Sequence, residues 1–257
     1  MSFEHLTVAV DGRLAVVRLA RPAARHALSQ ALMRELLRVA RELGERTDID
    51  VVLLTGDERC FSAGADLRDS RAWADAATPL VQRREIASLG YRMCRAWEQM
   101  QPVTIAAIEG YAVGGALALS VSCDWRVLAE DAWVSLPEIA LGIPLTWGTL
   151  ARLTALVGPA RAKRLTILCE RVAARDALAM GLVDELAAPG QALPAARVLA
   201  DKTLAMPAAA VRMSKESINA VATVLHHAGG HMAHDQLMLA AESPESRAAR
   251  DAALKRR

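Results

Sequence analysis

Apolar and polar residues alternate at the start of the chain, through Leu6-Thr-Val-Ala-Val10 and again through Leu14-Ala-Val-Val-Arg-Leu19. Alternation with a period of two reads as strand, because successive side chains point to opposite faces. Asp11-Gly12 between the two runs predicts a hairpin turn with φ > 0 at both turn positions. The period then changes. Leu32, Leu36, Val39, Ala40 and Leu43 recur at helical spacing, with Ser29 suited to the N-cap and Gly44 to the stop. Residues 51–55 and 103–108 are unbroken apolar runs, as expected of strands buried on both faces. Residues 78–100 between them are helix-prone, and a further helix is expected to start at Gly115. Trp125-Arg-Val-Leu128 and Trp133-Val134 read as short strands. From about residue 149 the chain is Ala-rich, with Leu and Met at three- and four-residue spacings. The pattern predicts an α/β chain that ends in a helical region.

Two small-residue segments follow the buried strands. They are Phe61-Ser-Ala-Gly-Ala-Asp-Leu67 and Gly110-Tyr-Ala-Val-Gly-Gly-Ala116. A turn between strand and helix exposes backbone N–H groups, because the first turn of a helix leaves its donors unpaired. Two such turns face to face would present two convergent donors, the construction that holds an oxyanion. The plainer reading of Gly114-Gly115 is that it allows tight strand–helix packing.

These segments, with Arg21-Pro-Ala-Ala-Arg-His-Ala-Leu-Ser29, Pro137-Glu-Ile-Ala-Leu-Gly142, the stretch 172–184 and Lys215-Glu-Ser-Ile-Asn219, resemble the crotonase (enoyl-CoA hydratase/isomerase) superfamily. The resemblance covers most of the chain. It implies a crotonase-like spiral of ββα units over residues 1–195 and a C-terminal helical trimerisation region over 196–257. It implies an acyl-CoA thioester as substrate, no separate cofactor, and a homotrimer or a dimer of trimers. The oxyanion donors would be the N–H groups of Ala65 and Gly115. Arg25 and Arg68 would meet the CoA phosphates, and Ala63, Asp66 and Leu67 would bracket the adenine.

The chain departs from that family where the chemistry is decided. The family supplies glutamates at two positions. One lies three residues past the oxyanion glycine, and here it is Ala118. The other lies in the Pro-Glu motif, and here it is Glu138. Addition of water uses both carboxylates, whereas a single base can take a proton from one carbon and return it to another. The expectation is therefore Δ3-Δ2-enoyl-CoA isomerase-type proton shuttling by Glu138. Enoyl-CoA hydratase is the alternative, and a non-catalytic acyl-CoA binder a further one. The blander reading of Glu138 is a salt-bridged glutamate at a helix start. Leu145 and Trp147 stand where the family has smaller residues, so the acyl tunnel is expected to be narrowed or redirected. Trp73, Leu80 and Trp97 are further candidates for its lining, with core packing the plainer reading of each, and Ala253 stands where many members have Phe. Glu109 is read as a surface turn residue and His26 as structural.

Composition adds exclusions. The chain is 53% apolar with net charge +2, so nothing global points to nucleic acid, and Lys255-Arg-Arg257 reads as a solvated tail. The four cysteines, Cys60, Cys94, Cys123 and Cys169, form no CxxC and read as buried thiols of a reducing compartment. His231 and His234 lack an evident third ligand, so no metal is expected. The start of the chain lacks a signal-peptide pattern and no apolar run reaches membrane-spanning length. A cytoplasmic protein without a membrane partner is expected.

Overall fold

The computed structural model describes residues 2–69, 75, 77–224, 226, 230 and 232–255, apart from the side chain of residue 254. Trp73 and His231 lie outside the described residues, as do the last two residues of the basic tail.

Strands β1 (Leu6–Asp11) and β2 (Leu14–Leu19) pair antiparallel with Asp11 opposite Leu14. The turn between them is Gly12-Arg13, and only Gly12 has positive φ, at 56°. The expected hairpin is therefore present, but its turn carries a single glycine in the left-handed region, one residue further on than Asp11. Strand β2 continues into a parallel array with β3 (Val51–Thr55), β4 (Val103–Ile108), β6 (Trp125–Ala129) and β9 (Glu185–Ala187). A smaller sheet joins β5 (Tyr111–Val113), β7 (Trp133–Ser135) and β8 (Val172–Ala173).

The unbroken apolar runs are explained by two cores. Val52, Leu54, Ala106 and Ile108 face one core, where α1 (Gln30–Gly44) and α2 (Leu80–Glu98) pack. Val51, Leu53, Val103, Ile105 and Ala107 face the other, closed by Ala192, Ala196 and Ala200 of α6 (Ala192–Leu204). Both faces of these strands are apolar because both are covered. Ser29 caps α1 as expected, with its Oγ accepting from Leu32 N at 3.2 Å.

The helical part includes α3 (Gly115–Ser120), α4 (Thr149–Leu168) and α5 (Ala174–Ala179). It continues with α7 (Ala208–Ala222), α8 (Ala233–Ala241) and α9 (Pro244–Lys255). Helix α4 is kinked at Gly158, just before Pro159. Among the described residues, no helix is long and apolar enough to cross a membrane. Cys60, Cys94 and Cys123 are buried, but Cys169, the residue that ends α4, is only partly so.

Two placements differ from the sequence reading. Glu109 is not a surface turn residue: it is buried and accepts from Gly190 N at 3.1 Å and Ala192 N at 2.7 Å. Its carboxylate satisfies donors at the start of α6, a long-range role that local sequence does not announce. Trp97 lies fully in the core, the plainer of its two readings, with Nε1 donating to Leu36 O at 3.1 Å. Leu80 is exposed. Neither faces the cavity described next.

Candidate active site

The two small-residue turns are stitched together by backbone pairing. Val113 N donates to Ser62 O at 3.2 Å, in a parallel bridge between Ser62 and Ala112. On the other side Leu28 bridges Ala65, with Leu28 N donating to Gly64 O at 2.8 Å and Asp66 N donating to Leu28 O at 3.1 Å. Gly64 has φ 85°, and a Cβ there would run into Val113 O and lie 3.4 Å from Gly115 N. Only glycine lets the two turns approach this closely. Ala65 N and Gly115 N make no hydrogen bond among those described. Both residues line one cavity of about 470 Å³.

Glu138 lines the same cavity, at the N-cap of the 3-10 turn Ile139–Leu141. Its Oε2 is cut off from solvent and has no hydrogen-bond partner among the described residues. Burial pushes its carboxyl up to about 7 from an ordinary 4.5, with its own backbone N–H pulling the other way. Among the described residues no charged partner contributes, so the salt-bridged reading of Glu138 fails. A carboxyl near 7 is matched to giving and taking protons at neutral pH. Gly114, at φ 56°, leaves room for it: a Cβ at residue 114 would lie 2.5 Å from Glu138 Oε1.

Ala118 also lines the cavity, one turn beyond Gly115. The position that would carry a second carboxylate is thus a methyl group facing the site. Asp75 and Asp251 contribute to the lining too. Asp75 is bound to its own loop, accepting from Ala77 N at 3.0 Å and Thr78 Oγ1 at 3.3 Å. Asp251 is exposed on α9. The remaining wall is largely apolar, from Ile86, Leu141, Ile143, Leu145 and Trp147.

A model of the enoyl-CoA hydratase/isomerase family matches residues 10–252. The chain belongs to the enoyl-CoA hydratase/isomerase family. It is 32% identical to a short-chain-enoyl-CoA hydratase of Clostridium acetobutylicum, over 85% of this chain and 82% of that protein. It is 31% identical to a crotonyl-CoA hydratase of Syntrophomonas wolfei, over 85% and 83%. The solved enoyl-CoA hydratase of Bacillus anthracis superposes with a TM-score of 0.79 at 32% identity, covering 92% of this chain and 90% of that one. The chain is an enzyme-family member with the crotonase fold.

Within this family member, the residues expected at the adenine end divide. Ala63 and Leu67 line the cavity. Asp66 is engaged elsewhere: Arg21 reaches its Oδ2 at 3.2 Å and Arg68 N reaches its Oδ1 at 3.2 Å. Arg68 is exposed beyond it, and Arg25 sits at φ 51° with its carbonyl accepting from Ala63 N at 3.0 Å. Neither arginine side chain lines the cavity.

His26 is buried behind the two small-residue turns, as a structural residue. Its carbonyl accepts from Ser62 Oγ at 2.8 Å, and that Oγ accepts from Gly64 N at 3.1 Å. His26, Asp57 and Cys60 place ligand-type atoms within 4.8 Å of one another. The His26 tautomer disfavours a cation there. Arg21 N donates to His26 Nδ1 at 3.1 Å, so Nε2 carries the ring hydrogen, facing Asp57 Oδ2 at 3.0 Å. A metal at Nε2 needs the lone pair that this arrangement removes.

Sequence reasoning missed the support of Trp147. The residue sits at φ 62°, a genuine outlier for a bulky side chain, of a kind that costs about 1–3 kcal/mol. Arg152 Nη1 holds its carbonyl at 2.9 Å. Arg152 is buried and paired bidentately with Glu98, at 2.6 and 2.9 Å, and Glu98 also meets His226 Nδ1 at 2.8 Å. Glu98 and Arg152 are 54 residues apart, and no local pattern links them.

Proposed function

We propose that this enzyme acts on enoyl-CoA thioesters, with the thioester oxygen held by the Ala65 and Gly115 N–H groups and Glu138 as the sole acid/base. Two donors at the carbonyl oxygen acidify the α-carbon by stabilising the enolate. Glu138 takes the proton from one carbon and returns it to another, so a 3-enoyl thioester becomes the conjugated 2-enoyl thioester. The observation that carries this reading is the pairing of half-buried Glu138, whose Oε2 is cut off from solvent without a hydrogen-bond partner among the described residues, with a methyl group at Ala118 in one cavity. A single carboxyl shuttles one proton; it offers no second group to orient and activate water.

Hydration of 2-enoyl-CoA is the second reading. The names of the relatives favour it at least as well, since the Clostridium and Syntrophomonas proteins are both called hydratases. The unshifted support for either reading is the same enolate site. For assembly, the exposed apolar side chains of Met213, Ile218 and Val221 on α7 support a trimer or a pair of trimers. The buried thiols support a cytoplasmic location.

The test is a spectroscopic assay of 3-enoyl- and 2-enoyl-CoA thioesters with wild type, Glu138→Gln and Ala118→Glu. Glu138→Gln should lose at least about 10²-fold in isomerase turnover while still binding acyl-CoA. Ala118→Glu, once shown to be folded, should gain hydration of the 2-enoyl thioester. Efficient hydration by wild type with no isomerase activity would select the second reading. Full isomerase activity in folded Glu138→Gln would remove the one-base mechanism.

A further inference from the structure

The indole of Trp147 fills gaps left by two glycines from different helices. A Cβ at Gly90 on α2 would overlap the pyrrole side of the ring, at Nε1 and Cε2. A Cβ at Gly115, the first residue of α3, would lie 2.6 Å from Cη2 on the benzo side. The ring therefore spans from α2 to the residue whose N–H faces the thioester oxygen. Gly90, Gly115, Ala118 and Trp147 all line the same cavity. The ring is also fixed from behind. Its left-handed backbone is held through its carbonyl by Arg152, and Arg152 is held by Glu98.

From these contacts we infer that Trp147 sets the acyl-chain limit of this enzyme. The indole walls the pocket beside Gly115, so the site accepts short enoyl thioesters and rejects long ones. Arg152 is the positioning residue that keeps the wall in place. A wall made of a side chain in an uncommon backbone conformation, seated on two glycines and locked by a buried ion pair, does not yield to a longer substrate as a loosely packed leucine would. The inference rests on the proposed placement of the thioester, and it holds for isomerase or hydratase chemistry alike.

Binding of saturated acyl-CoAs tests it without turnover. Butanoyl-, octanoyl- and dodecanoyl-CoA are titrated calorimetrically into wild type, Trp147→Gly, Trp147→Phe and Arg152→Lys. Wild type should prefer butanoyl over dodecanoyl by at least about 10-fold, the scale on which a hydrophobic pocket discriminates size. Trp147→Gly should erase that preference, and Trp147→Phe should reduce it, so the smaller change carries the test if the larger one impairs folding. Arg152→Lys should shift the ratio in the same direction, because a single ammonium cannot hold both Glu98 and the Trp147 carbonyl with the same geometry. In a Trp147→Gly background, Arg152→Lys should leave the ratio unchanged. Equal affinities for the three thioesters in wild type, or a wild-type ratio in folded Trp147 variants, would overturn the inference alone. No affinity for any acyl-CoA would overturn the proposed function with it.

Discussion

Gly114 and Glu138 share one small volume: a Cβ on residue 114 would lie 2.5 Å from the Glu138 Oε1 atom. The glycine is needed twice, because its backbone also sits at φ 56° and ψ −120°, a conformation that residues with a Cβ rarely adopt. The carboxylate is thus positioned by an absence of atoms on the neighbouring turn. Gly114→Ala should lower stability by about 1–3 kcal/mol through backbone strain. It should also lower turnover by about 10²-fold, because the carboxylate is the flexible partner and moves aside. Chemical denaturation and kcat on the folded fraction measure the two effects, and a variant with wild-type turnover would contradict the assignment.

The buried Glu138 carboxyl gives stability a pH dependence of defined sign. The folded protein holds this proton more tightly than the unfolded chain, at about 7 against 4.5. Stability therefore falls as pH rises between those values, and the deficit is complete above pH 7. It amounts to about 3 kcal/mol. Glu138→Gln should be more stable than wild type at pH 8 by up to that amount and show little difference at pH 4. Denaturant midpoints at the two pH values test this, and a difference that grows toward low pH would refute it. In the same way, kcat/KM should rise with pH through about 7, as Glu138 becomes available as a base.

Glu98 carries the lock behind Trp147. Its carboxyl is lowered to about 2: burial opposes the shift, and His226 and Arg152 more than offset it. Glu98→Ala would leave the buried Arg152 charge without its carboxylate, and should cost about 3–5 kcal/mol. A loss below 1 kcal/mol in equilibrium denaturation would show that the pair is dispensable.

Glu109→Ala should cost about 1–3 kcal/mol, because Gly190 N and Ala192 N lose a buried acceptor. Glu109→Gln keeps one acceptor oxygen and should recover part of that loss. Equal melting temperatures for wild type and Glu109→Ala would show that water replaces the carboxylate at no cost.

Periodicity along the chain determined the strands and helices that are made by local patterns. The unbroken runs at 51–55 and 103–108 are strands because two separate cores claim their alternate residues, and only a fully apolar run satisfies both. The Ser29 cap, the hairpin at Gly12 and the two small-residue turns were likewise written locally, as was the identity of Glu138 and Ala118. Tertiary structure decided the rest, since it depends on groups far apart in sequence. That Glu109 caps α6 requires residues 109 and 192 to meet, and that Trp147 is fixed requires Glu98 to find Arg152. The raised Glu138 carboxyl is of the same kind. Its proton affinity comes from the water and charge that the folded cavity excludes, and a sequence specifies which carboxyl is present but not how dry its surroundings become.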